Sequence, residues 1–173
     1  MCPFNEKYLH QAIANDKYSD SLNEALHKFD EGYPEIGHEI CDKLGIKSSL
    51  AIVVSSLFSK DHENEIEFEK RHILDLTKAA EQKNSLALYS IAVYYDQGTI
   101  LEESKSKAQD YYCRAAKAGS DLAKHVYGIM LYYGTDTLKP NKEEGIKLLL
   151  SSASNGVDDA RVFLSSIGIT TAG

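Results

Sequence analysis

The chain has 173 residues, 43% of them hydrophobic and 26% charged, enough to bury one sizeable core or one short solenoid. Nineteen lysines and arginines face 26 aspartates and glutamates; the net charge of −7 argues against a phosphate-backbone binder and suits either solubility alone or a basic partner surface. Cys2, Cys41 and Cys113 are odd in number and widely spaced, with no CxxC pair, so neither a disulfide framework nor a zinc site is expected.

A reducing cytoplasm is the simplest home for such thiols. The opening Met-Cys-Pro-Phe-Asn-Glu-Lys has no basic n-region and no apolar h-region, and no apolar run is long enough to insert in a membrane. An exported lipoprotein, with Cys2 as its mature N-terminus, is the alternative origin.

The first predicted elements lie in an atypical N-terminal region, 1–47. A short helix over 5–15 is followed by a stripe of Leu22, Ala25, Leu26 and Phe29 at helical spacing. Gly32-Tyr33-Pro34 turns the chain into a second stripe, Ile36, Ile40 and Leu44. We read 1–47 as a diverged helix pair capping an array, because an end unit would otherwise expose an apolar face.

From residue 48 the chain repeats itself. Ser48-Ser49-Leu50-Ala51, Asn84-Ser85-Leu86-Ala87 and Ser120-Asp121-Leu122-Ala123 each place a polar pair before Leu-Ala, and Val157-Asp158-Asp159-Ala160 keeps the acid and the alanine. A second register runs in step: Ala80, Ala116 and Ala153 close alanine- or serine-rich segments, with steps of 116 − 80 = 36 and 153 − 116 = 37. Two registers with one period identify a repeat array. The units are 48–83, a degenerate one, then 84–119 and 120–156, with a capping helix and tail over 157–173.

Within each unit the apolar spacing is helical. Leu86, Ala87, Ile91, Ala92 and Tyr95 form one face, as do Leu122, Ala123, Val126, Tyr127, Met130 and Leu131. Gly98 and Gly134 end these first helices; second helices are predicted over 104–118 and 141–155, closed by Gly119 and Gly156. Small residues recur at Ala92 and Gly128, where two helices must cross closely. Val162, Phe163 and Ile167 are expected to close the far end, with 169–173 as a frayed tail.

At these residues the chain resembles the Sel-one-like repeat family, relatives of the tetratricopeptide repeat. The central unit supplies Ala87, Ile91, Ala92, Tyr95 and Gly98, then Lys107, Ala108, Tyr111, Tyr112, Arg114, Ala115, Ala116 and Gly119. The next keeps Ala123, Gly128, Gly134, Ala153 and Gly156, while the earlier one keeps Ala51 but has Ser55, Ser56, Ser59 and His62 in its remaining first-helix slots. The resemblance covers about 48–167. It implies an all-α fold, a short right-handed α-solenoid of antiparallel helix pairs, whose concave groove holds a partner protein or peptide. Carried over by register, the groove-lining positions are Val53, Leu57, Tyr89, Val93, His125, Ile129, Tyr132 and Tyr133.

Catalytic signatures are missing from the sequence. His38-Glu39 and His62-Glu63 lack the second histidine of HExxH, and no GxSxG, Walker or GxGxxG motif occurs. His38 and Cys41 stand three apart on a predicted helix, which reads as a structural histidine beside a core cysteine. Asp61 to Glu65 reads as a solvated loop and helix start. We therefore expect no cofactor, no metal and no catalysis, a protein or peptide partner, and no nucleic acid. The most specific reading is an immunity protein that neutralises a basic toxin; a scaffold or regulatory adaptor is the alternative, and a hydrolase using His38 or His125 is the distant one.

Overall fold

The computed structural model describes residues 5–170; Cys2 and the end of the predicted tail, 171–173, lie outside the described residues. Among those residues the chain is helical throughout: α1 (Glu6–Ala14), α2 (Ser19–Asp30), α3 (Pro34–Leu44), α4 (Ser49–Ser56), α5 (Glu65–Glu81), α6 (Ser85–Gln97), α7 (Lys105–Lys117), α8 (Asp121–Tyr133), α9 (Lys142–Ser154) and α10 (Asp158–Ser166), with a short 3-10 turn at Gly45–Lys47. The fold is all-α, of the α-solenoid class. It divides into two compact units, Met1–Ile91 and Ala92–Gly173, with the boundary inside α6.

The repeat period is written in the backbone hydrogen bonds. Asn84 N–H donates to the Ala79 carbonyl, Ser120 N–H to Ala115 and Val157 N–H to Ser152, at 2.9–3.2 Å. Each bond closes a helix C-terminus and delivers the chain to the next helix start, where Asn84 and Ser120 then cap α6 and α8 with their side chains. The residue before each of these starts has a positive φ. Gly119 (+100°) and Gly156 (+88°) adopt it at little cost, whereas Lys83 adopts it at 60° with a Cβ to accommodate. A second bond recurs inside the repeats: Ser104 N–H donates to the Tyr95 carbonyl and Asn141 N–H to Leu131, folding each second helix back on its first.

In the first unit α2 packs on α3, α3 on α4 and α4 on α5. Leu22, Ala25, Leu26 and Phe29 are buried as their spacing predicts. The face of α3 is different from the one predicted. Its buried residues are Gly37, His38 and Cys41, while Ile36 is 39% exposed. The reason is the Phe29 ring, which lies where a Cβ on residue 37 would be, 2.7 Å from ring carbons Cε1 and Cζ, so only glycine lets α3 approach α2 this closely. That rotation carries the polar His38 inward, where its ring must find partners.

In the second unit α7 packs on α8, α8 on α9 and α9 on α10. The α8–α9 crossing is glycine on glycine. A Cβ on Gly145 would meet the Gly128 carbonyl oxygen at 2.7 Å and the Tyr132 nitrogen at 2.9 Å; one on Gly128 would meet Leu149 Cγ at 2.9 Å. Ser152 Oγ donates to the Asp121 carbonyl and Asn155 Nδ2 to its carboxylate, fixing the other end of the pair. In α10 the buried residues are Ala160 and Leu164, whereas Val162 is 69% exposed; the expectation that Val162 helps to close the core is corrected.

Candidate interaction surfaces and the fold family

The eight groove positions separate by burial. Val53 is fully buried in α4 and Val93 is 7% exposed in α6, so both are core residues and the expectation that they line a surface is corrected. On α4 the cause is length: with eight residues, six of them buried, this helix has little outward face to offer. Leu57 and Tyr89 are half-buried in the first unit.

The α8 positions do come together. His125, Ile129 and Tyr132 are half-buried at i, i+4 and i+7, and Tyr133 beside them is 64% exposed. Phe163 of α10 packs edge-on against both tyrosines, with ring centroids 5.5 Å from Tyr132 and 5.9 Å from Tyr133, and the tyrosines meet each other at 5.0 Å and 87°. Such edge-to-face packing places the positive ring edge on the neighbour's negative face. Lys142 Nζ stands 5.1 Å over the Tyr132 ring. At the other end of the strip His125 faces Asp159; burial pushes its pKa below the ordinary 6.5 and Asp159 opposes that push. Val162 adds an exposed aliphatic side chain on α10.

The result is a strip of three locked aromatic rings with aliphatic neighbours, bounded by a lysine and an aspartate. Rigid amphipathic rings give contact area at small entropic cost, which makes them suited to anchoring a partner. Phe163 belongs to this strip although sequence reasoning assigned it to the end cap. The repeat register points one residue away: two after Ala160, where Tyr89 and His125 follow Ala87 and Ala123, stands Val162, and Phe163 is its neighbour.

The histidine of the N-terminal region serves the core. His38 Nε2 lies 3.0 Å from the Ser59 carbonyl and so carries the proton, leaving Nδ1 to accept from Ser55 Oγ at 2.9 Å; the ring also meets Phe29 edge-on. Desolvation lowers its pKa and holds it neutral. Three residues along, burial pushes the Cys41 thiol up to about 12, which leaves it a poor nucleophile. Asp61 to Glu65 is more than a solvated loop. Glu63 grips Arg71, whose Nη2 also donates to the Phe58 carbonyl, and Asn64 with Glu67 forms a capping box on α5. Among the described residues no group of three histidine, cysteine or acidic side chains is placed to hold a metal ion, and no helix is long and apolar enough to cross a membrane.

Comparison with known proteins bears on the repeats and on the fold. No curated protein matches the chain. Among solved structures, the crystal structure of a Sel1 repeat protein from Oxalobacter formigenes is similar over 92% of this chain and 68% of its own, with a TM-score of 0.66 at 20% identity. A protective antigen of uropathogenic Escherichia coli strains displaying an SLR fold is similar over 90% of this chain, with a TM-score of 0.62 at 18% identity; there the chain spans about a third of the larger protein (34%). At these identities the likeness is one of fold. The Sel1 repeat family model matches residues 85–120 and 122–157, the two units with the complete hydrogen-bond and glycine pattern, and the likeness to the Sel1 repeat family rests on these two repeats.

Proposed function

We propose that the protein is a non-catalytic interaction module that holds a partner protein through the aromatic strip of α8 and α10. The observation that carries the reading is the mutual packing of Tyr132, Tyr133 and Phe163, with Tyr133 64% exposed and Val162, the neighbour of Phe163 in α10, 69% exposed. Three rings fixed against one another lose little freedom when covered, and desolvating them is favourable. The match of residues 85–120 and 122–157 to a repeat family built as interaction scaffolds supports the same reading, as does the commitment of His38 and Cys41 to the core. We place the protein in the cytoplasm, where Cys41 and Cys113 remain thiols.

The test is affinity capture from the native cell with the wild-type chain, Tyr133→Ser and Val162→Ser. Loss of the same partner from both variants, with helicity unchanged, supports the strip; a partner retained by both removes it. The finer reading, an immunity protein occluding a basic toxin, draws on the chain's size and its net charge of −7. It requires that co-expression rescue cells from a toxin encoded beside it and that the two form a one-to-one complex. A captured signalling or envelope protein, with no rescue, assigns the adaptor role instead.

A further inference from the structure

The acidity of the chain is not evenly spread. Residues 1–91 carry 16 acidic and 10 basic side chains, a net −6, whereas residues 92–173 carry 10 and 9, a net −1. Within the first unit two clefts adjoin, sharing Asp42 and Lys60 as lining residues. One, of about 520 Å³, lies between the outer face of α3 and the chain leaving α4. The other, of about 360 Å³, runs between α3 and α5 over α4. They exist because α4 is only eight residues long and leaves the flanking second helices unfilled between them.

The two clefts differ in chemistry. In the first, Glu39 is neutralised by Lys43 at 2.9 Å, but Glu35, Asp42 and Asp61 join no salt bridge among the described residues, against the single unpaired ammonium of Lys60. In the second, Arg71 and Lys78 are committed to Glu63 and Asp75, and beyond the shared Asp42 and Lys60 the large side chains left are the apolar Ile52 and Leu74, the latter 55% exposed. An exposed leucine on an otherwise charged helix face, at the lip of a cleft, is an unfilled contact.

The geometry points to a second docking groove, in the first unit, that takes a partner segment carrying an arginine or lysine next to a large aliphatic side chain. The basic group enters the cleft of Glu35, Asp42 and Asp61 and the aliphatic one covers Ile52 and Leu74. Charge complementarity selects this occupant: an acidic segment meets three carboxylates against the one ammonium of Lys60, and a purely basic one leaves the apolar cleft wet. The groove is independent of the α8–α10 strip, so each survives the failure of the other.

A capped seven-residue peptide with two glycine-spaced arginine–leucine pairs is the probe, titrated into the full chain by calorimetry. Asp42→Asn with Asp61→Asn is expected to weaken binding about fivefold, and Leu74→Ser by a similar factor. Asp20→Asn with Glu24→Gln removes two exposed carboxylates from α2, outside both clefts, and is expected to leave affinity unchanged, as is Tyr133→Ser. Replacing leucine by serine in the probe should abolish the sensitivity to Leu74→Ser. Equal losses from the cleft and α2 pairs would reduce the effect to diffuse charge attraction and overturn the groove, as would a probe that does not bind or ignores Leu74→Ser. Circular dichroism confirms that every variant folds; all the substituted sites in the groove are at the surface.

Discussion

Gly145→Ala sets two physical effects against each other, and the structure decides between them. In a helix interior the change to alanine gains about 1 kcal/mol of propensity. Here the new Cβ would sit 2.7 Å from the Gly128 carbonyl oxygen and 2.9 Å from the Tyr132 nitrogen. Both are backbone atoms, so neither turns aside as a flexible side chain would. To restore ordinary contact α8 and α9 must part by roughly 0.5–0.7 Å, and a gap of that size forfeits a quarter to a half of each dispersion contact across the interface. Overpacking of this kind costs typically 1–3 kcal/mol and more where backbone is met on both sides; against the propensity gain we expect a net loss of about 2 kcal/mol. That corresponds to a melting temperature lower by roughly 4–8 °C for a chain of this size. Thermal and urea denaturation followed by circular dichroism measure it, with Lys147→Ala on the exposed side of α9 as the neutral comparison. Should Gly145→Ala melt at or above the wild type, propensity has won and the close crossing is not what the glycine serves.

Other positions give sharp expectations. Lys83 occupies, at a φ of 60°, the turn position that Gly119 and Gly156 fill elsewhere, so Lys83→Gly should stabilise the first unit by about 0.5–1 kcal/mol in urea denaturation; a loss would mean that the lysine side chain itself matters there. Arg71 ties Glu63, Asp75 and the Phe58 carbonyl together with both partners' side chains only 15–17% exposed; Arg71→Met should cost about 2 kcal/mol by the same measurement, and a change below 0.5 would show the tie to be incidental. Burial lowers the pKa of His38 and of His72, whose Nδ1 meets the Ser56 carbonyl at 2.7 Å. The unfolded chain then binds more protons than the folded one below the ordinary 6.5, so stability is full above that value and falls as pH drops through it. The urea midpoint should decline from pH 7.5 to 5.5 and decline less in His38→Asn; equal slopes in both proteins would exclude that histidine as a source.

The repeats were legible because their function in the fold is local and periodic. A glycine at 119 or 156, an alanine at 87 or 123 and a polar residue at 84 or 120 each answer a backbone requirement that returns every 36 or 37 residues, so they recur in register whatever surrounds them. Tyr132 and Tyr133 were found on that register, whereas Phe163 lies one residue past it, beside Val162, which holds in α10 the position of Tyr89 and His125. What the register could not convey is depth. Val53 and Val93 share their positions with half-buried residues of other units yet are buried themselves, and for Val53 the cause is the shortness of α4 rather than its position in the repeat.

The first unit was the least legible for a related reason. Its specificity is carried by singular contacts, Phe29 over Gly37 and His38 between Ser55 and the Ser59 carbonyl, and a contact made once leaves no periodic trace. The apolar stripe Ile36, Ile40 and Leu44 gave the helix correctly and its rotation wrongly, since a missing Cβ at residue 37 outweighed two aliphatic side chains in setting which face turns inward. That rotation left Ile36 at the surface with Glu35 and Glu39 and brought His38 and Cys41 inside. The same one-residue turn that hides the residues most like a catalytic pair therefore sets out the acidic face from which the docking groove is built.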